Sequence, residues 1–314
     1  MTKINATERV LRTTISVIGF PLAFVQTLLS KYAIHKYKRM GKLINIGSHS
    51  LHAIVAGQDK DGPTVILESG MGGCALDWSL VQPELSKHTK VISYDRAGFG
   101  WSTQTIDKPT CENYVLDLRE LLSRLELKPP YLLVGHSYGG MIMRLFASEF
   151  PDEVMGIILV DSTHEKRYLE STSSEKRRIE RLNNQKRLRL GYLLSPIAVP
   201  RMIKQHIGSK RLPLDIQKKA AALGYRNNAY KAAYLEFLCT IKSAEQLHQS
   251  QPLRSDIPIL VLTAGKQSEE WKHGQKELLI LSKKTQHIIV EDSWHSIQIH
   301  NPQVVINSVI SLLR

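Results

Sequence analysis

After Gly41, short continuous apolar runs alternate with amphipathic stretches at regular spacing. The runs fall at 64–67, 91–94, 131–134, 154–160, 257–262 and 287–290. Most are unbroken rather than alternating with polar residues, as strands covered on both faces are. Between them, 112–126 carries Val115, Leu118, Leu121, Leu122 and Leu125 on one side, at helical period. The stretches 137–150 and 303–313 read as further helices, and the first of them ends before Pro151. Strand–helix alternation of this kind predicts an α/β fold with a mostly parallel central sheet flanked by helices. An antiparallel hairpin is expected at one edge, over 43–46 and 51–55.

The alternation stops between residues 163 and 253. This stretch is helical in tone and poor in strand signals. It reads as a helical lid inserted after the sixth strand, which divides the α/β core into 41–162 and 254–314. The insertion also carries most of the charge. Of a net +13, the segment 163–250 holds 18 Lys/Arg against 7 Asp/Glu. Such a patch fits a membrane surface, an anionic substrate or nucleic acid; it equally fits solvated helix faces. Aromatics are not regularly interleaved with the lysines, so no stacking platform is indicated and no nucleic acid is expected as a partner.

Residues 1–40 stand apart. Residues 13–30 contain no charge, with Arg12 before and Lys31 after. Eighteen uncharged residues just reach across a bilayer core of roughly 30 Å at about 1.5 Å per residue. Pro21, Gly19 and Gln26 interrupt the run. An interfacial helix is therefore the other reading. No small-x-small cleavage site follows, which argues against a signal peptide. Membrane association through this single N-terminal hydrophobic segment and a basic linker is the expectation. The balance of flanking lysines and arginines favours a cytoplasmic catalytic domain. The three cysteines, Cys74, Cys111 and Cys239, form no C-x-x-C pair and are odd in number. Reduced thiols are the simplest reading.

The chemistry concentrates at Gly135-His136-Ser137-Tyr138-Gly139. A G-x-S-x-G pentapeptide alone is weak, since chance supplies one in roughly one chain of this length in ten. Its setting decides. It follows the apolar run 131–134 and opens a helix, which is where a nucleophilic serine sits on a strained strand-to-helix turn. The glycines leave room where a Cβ would clash. The helix start aims backbone N–H groups at a developing oxyanion.

With the elbow in place, the chain resembles the α/β-hydrolase superfamily over residues 43–314. The resemblance rests on five motifs in order: Leu67-Glu-Ser-Gly-Met-Gly-Gly73, Tyr94-Asp-Arg-Ala-Gly-Phe-Gly-Trp-Ser102, the elbow, Val160-Asp161, and Ser293-Trp-His295. It implies Ser137 as nucleophile and His295 as base, because family members place the histidine in the loop before the last helix. It implies an oxyanion hole from the N–H groups of Tyr138 and Met71. The loop after the fourth strand is expected to brace the site. The family's commonest acid follows the seventh strand, and here Ala264-Gly-Lys-Gln-Ser268 has no aspartate there. Some members carry the acid after the sixth strand, which is Asp161 here. Asp161 is thus the expected acid, with Glu269 and Glu270 as the alternatives. The carboxylate would fix the imidazole tautomer and stabilise the imidazolium.

The expected activity is serine hydrolysis of a hydrophobic small-molecule or lipid-like ester through an acyl-enzyme. Thioesterase, iminopeptidase and perhydrolase activities use the same triad, and a non-enzymatic binding protein of this fold is the contrasting reading. No metal-ligand cluster or phosphate-binding loop is visible, so no cofactor and no metal is expected. Oligomeric state is not legible.

Overall fold

The computed structural model describes residues 3–103 and 106–314. Eight strands form one sheet: β1 (Lys42–Asn45), β2 (Ser50–Ala56), β3 (Thr64–Glu68), β4 (Lys90–Asp95), β5 (Tyr131–His136), β6 (Val154–Val160), β7 (Ile259–Ala264) and β8 (Thr285–Val290). Their order is β1-β2-β4-β3-β5-β6-β7-β8. The pairs β1–β2 and β2–β4 are antiparallel, and every other pair is parallel. This is the mostly parallel α/β sheet expected from the alternation, with the antiparallel hairpin at the expected edge. The seventh strand begins at Ile259 rather than at Ile257. Pro258 has no N–H to give the ladder, whereas the N–H of Ile259 bonds to the carbonyl of Lys284.

The continuous apolar runs serve two cores at once. In β3, Ile66 joins one core while Val65 and Leu67 join the other; in β5, Leu133 faces one side and Leu132 and Val134 the other. Successive side chains alternate across the sheet, so a strand buried on both faces must be apolar at every position. The helices Cys111–Arg124 and Tyr138–Glu149 cover one face, and Pro302–Leu313 helps cover the other. All three cysteines are buried and none is in a disulfide.

Parallel strands share a carboxyl edge, and in open α/β sheets ligands bind there. Residues 163–253 lie between β6 and β7 and are helical, with the main helices at Glu175–Leu194, Leu214–Gly224, Asn227–Leu238 and Thr240–Gln249. One buried ion network ties this insertion to the edge. Arg96, just past β4, donates to Glu68, to the carbonyls of Ser69 and Gly70 at 2.8 and 2.7 Å, and to Glu236 of the insertion at 2.9 Å. The other oxygen of Glu236 accepts the Gly72 N–H at 2.8 Å. All three charged side chains are buried. A buried charge is tolerated only when paired and hydrogen-bonded, and here the pairing fixes the 69–72 loop from both sides.

The single apolar segment expected over 13–30 forms two helices instead, Ala6–Ile18 and Phe20–Lys36, bent by 97° at Gly19. Pro21 lacks an N–H and fits only the first turn of a helix. Gly19 sits so close to the insertion that a Cβ there would lie 2.5 Å from Ile197. No single helix among the described residues is long and apolar enough to cross a membrane, although the bent pair passes by length and composition.

Removing the carboxylate of Glu236 leaves Arg96 partly uncompensated. Glu236→Ala is expected to cost about 3 kcal/mol or more, read in urea titration or as a fall in Tm of roughly 6 °C or more. A loss below about 0.5 kcal/mol, the level of an ordinary surface change, would contradict the role given to this network.

Candidate active site

The elbow forms where β5 hands over to the helix Tyr138–Glu149. Ser137 has φ 52°, in the left-handed region that costs a non-glycine residue on the order of 1–3 kcal/mol. The strain is held by close packing. A Cβ at Gly139 would lie 2.6 Å from the Ser69 carbonyl oxygen, and one at Gly135 would lie 2.6 Å from the Gly140 Cα. Only glycine lets the turn approach β3 and its own helix this closely. Backbone bonds finish the turn: Ser137 N–H donates to Val160 and Thr163 N–H donates to Ser137.

Three strand ends then meet. His295, after β8, lies with Nε2 2.9 Å from Ser137 Oγ. Its Nδ1 lies 2.7 Å from Asp161 Oδ2, at the end of β6. With Nδ1–H donating to the carboxylate, Nε2 is left to accept from the serine hydroxyl. Asp161 is fully buried and also has a positive φ, 41°. Its N–H donates to Leu262 at 2.7 Å, and its Oδ1 accepts the Ala264 N–H at 3.0 Å. The β6 end is thus locked to β7 while the side chain reaches His295. Of the alternatives, Glu269 pairs with Lys272 and Glu270 with Arg177, and neither is brought to His295.

The usual acid position after β7 is not vacant. Gln267 Nε2 donates to Asp161 Oδ2 at 2.7 Å and lies 3.0 Å from His295 Nδ1. Nothing in the sequence pattern marked this glutamine, since its role exists only once β6, β7 and β8 are side by side. Glu236 escaped notice for the same reason. Trp271 was also missed; its ring meets the His295 ring edge-on at 5.0 Å.

The loop after β3 comes next to the elbow because β3 and β5 are hydrogen-bonded neighbours. A Cβ at Gly70 would lie 3.1 Å from the Ser137 Cβ, so the loop that carries Met71 comes directly against Ser137, whose chain neighbour is Tyr138. Among the described residues, the N–H groups of Met71 and Tyr138 take no carbonyl partner in the surrounding turns, while that of Gly72 is spent on Glu236. Two donors therefore remain available beside Ser137. Among the described residues no cluster of side chains could hold a metal ion.

Two histidines flank the site as neutral groups. Burial, reinforced by the nearby His295, pushes His136 well below the usual histidine range. Its Nε2–H then donates to the His295 carbonyl at 3.1 Å and steadies that loop. Burial pushes His164 down to about 4, against the opposing pull of Glu165. When the chain unfolds, both return to about 6.5, so below that pH the unfolded chain binds more protons. Their contribution is complete above about pH 6.5 and is lost as pH falls toward 4. Stability is expected to drop between about pH 7 and about pH 5, with His164 alone worth on the order of 2 kcal/mol at the lower end. His164→Gln should flatten the Tm-against-pH curve; an unchanged slope would contradict the assignment.

Comparison with known proteins places this geometry. The family model for the alpha/beta hydrolase fold matches residues 63–302. A Bacillus subtilis (strain 168) protein, YqjL, is 27% identical over 251 residues, covering 78% of this chain and 81% of its own. The 2-hydroxy-6-oxo-2,4-heptadienoate hydrolase of Pseudomonas putida is 35% identical over 126 residues, covering 38% of this chain and 44% of its own. Among solved structures, the enol-lactonase from Burkholderia xenovorans LB400 superposes with a TM-score of 0.65 at 19% identity, over 87% of this chain and 99% of its own. Hydrolases recur among these relatives. The chain belongs to the alpha/beta hydrolase family.

Proposed function

We propose that this protein is a serine hydrolase that cleaves esters with an apolar acyl group through an acyl-enzyme. The observation that carries the reading is the hydrogen-bonded line Asp161–His295–Ser137 ending on a strained serine. The Ser137 hydroxyl attacks the ester carbonyl while its proton passes to His295 Nε2. Buried Asp161 stabilises the imidazolium without taking the proton. The Met71 and Tyr138 N–H groups receive the oxyanion, and one such donor is worth about 10²–10³ in rate. His295 then protonates the departing alcohol. Water, giving its proton to His295 Nε2, then attacks the acyl-enzyme carbonyl; the bond to Ser137 Oγ breaks, the serine takes the proton back from His295, and the carboxylic acid leaves.

The preference for an apolar acyl group is supported by a cavity that reaches Met71. It has a volume of about 1190 Å³ and is lined mainly by the insertion, with Leu188, Leu194, Ile207 and Phe237 among its walls and Arg177, Arg181 and Arg187 also in its lining. A carbonyl held at Met71 would place its acyl chain along these walls. In a p-nitrophenyl ester series, kcat/KM should rise about fourfold per added methylene until the cavity is filled. A flat series would sink the apolar preference.

The acid assignment has its own test. Asp161→Asn should lower kcat by about 10⁴-fold, whereas Glu269→Gln and Glu270→Gln should stay within about twofold. Gln267 touches both Asp161 and His295, so a carboxylate at 267 can take over the tautomer-holding task. Asp161→Asn combined with Gln267→Asp should recover at least about tenfold of the loss. A large loss in Glu270→Gln, or no difference for Asp161→Asn, would overturn the triad as drawn.

A further inference from the structure

We infer that the N-terminal helix pair seats this protein on an anionic lipid surface, lying in the plane of the interface beside the mouth of the cavity. The seating stands on the surface alone and does not depend on the hydrolase reading above.

The helix Phe20–Lys36 is built inside out. Its protein-facing stripe is Ala23, Gln26, Ser30 and Ala33, at helical spacing, all buried or half-buried. Its outer surface carries Phe20, Leu22, Phe24, Val25, Leu28 and Leu29, all exposed. A helix lying on a protein in water arranges these the other way round. At the bend, Ile18 is 80% and Phe20 66% exposed. Apolar surface this continuous marks a contact site rather than scatter.

The polar residues within the apolar run explain why the pair lies flat. Gln26 is 1% exposed; its Nε2 donates to the Tyr225 carbonyl at 2.6 Å and its Oε1 accepts from Arg201 Nε at 3.0 Å. Glu8 is 6% exposed and accepts from Arg189 at 2.7 Å and from the Tyr234 hydroxyl at 2.8 Å. Both helices are therefore pinned to the insertion by the side they would have to release in order to straighten. A continuous span would strip these partners and carry Gln26 into hydrocarbon, where an unpaired polar group is costly.

The same surface continues onto the insertion. Arg201, which holds Gln26, belongs to the short helix Val199–Met202. Met202 and Ile203 are exposed, and Ile203 also lines the cavity that reaches Met71. The apolar patch and the cavity mouth thus share an edge. Charge names the partner. From Arg9 to Gln58 the chain has seven Lys/Arg and no Asp or Glu. Lys31, Lys36, Lys38 and Arg39 are exposed at the end of the pair. An apolar wedge rimmed by cations fits an anionic bilayer surface.

The test is co-sedimentation of the full chain with phosphatidylcholine vesicles, pure or containing phosphatidylglycerol. Ser137→Ala is run alongside, so that loss of the hydrolase reading leaves the seating measurable. Both proteins should bind the anionic vesicles and bind the pure phosphatidylcholine at least about tenfold more weakly. Ile18→Ser/Phe20→Ser/Phe24→Ser, altered only at exposed positions, should keep the wild-type Tm and bind about 100-fold more weakly. An alkaline carbonate wash should release the bound protein. Three results would overturn the inference: no binding to anionic vesicles, equal binding by the triple variant, or retention after the wash as a spanning segment. A concentration-dependent dimer dissolved by the same triple variant would also overturn it, since a second copy would then own the surface.

Discussion

The hydrogen-bonded line from Asp161 through His295 to Ser137 can exist only because β5, β6 and β8 end at one edge of one sheet. Each parallel pairing brings a further loop to that edge. Two of the three residues on the line pay for their place with a left-handed backbone, φ 52° at Ser137 and 41° at Asp161. The cost is local; what holds it is the glycine-permitted contact of the elbow with β3 and the locking of Asp161 to β7. Strain at a reacting centre persists only when the surrounding structure over-determines it, and here the sheet supplies that determination.

A second constraint organises what lies around the line. Arg96 holds the 69–72 loop through two carbonyls and two carboxylates, and one of those carboxylates, Glu236, comes from the helical insertion. The loop that carries Met71 toward Ser137 is therefore positioned by both the sheet and the insertion. The insertion in turn holds the N-terminal helices through Arg189, Tyr234, Tyr225 and Arg201. Chemistry, cavity and surface are linked by buried polar contacts, each of which would be costly to leave half-made.

Much of this is legible in the sequence. Strands buried on both faces read as continuous apolar runs, so the parallel strands, the helices between them and the edge hairpin are legible in the sequence, whereas the order of strands across the sheet is not. The elbow is a local device, and local devices leave local patterns; Ser137 and its flanking glycines are contiguous. His295 and Asp161 were legible by their place in a recognised order. Gln267 was not, although it fills the position where an acid was sought, because a glutamine acquires meaning only from the neighbours that three strands bring to it. Glu236 was hidden for the same reason, lying 140 positions from Arg96 along the chain. The N-terminal run lacks charge throughout, which favours one segment, while Gly19, Pro21 and Gln26 mark where it could break. That it does bend, with Gly19 packed against Ile197, is a long-range contact that no local window contains.

The central claim is that Ser137 is a nucleophile activated by its neighbours rather than a strained but inert serine. A fluorophosphonate probe reports this directly, since it reacts covalently with an activated serine. The labelled protein should gain one probe mass, and peptide mapping should place it on Ser137, with none on Ser137→Ala and a much slower reaction in His295→Ala. Folded wild-type protein that takes up no probe, or labelling that persists in Ser137→Ala, would contradict the account.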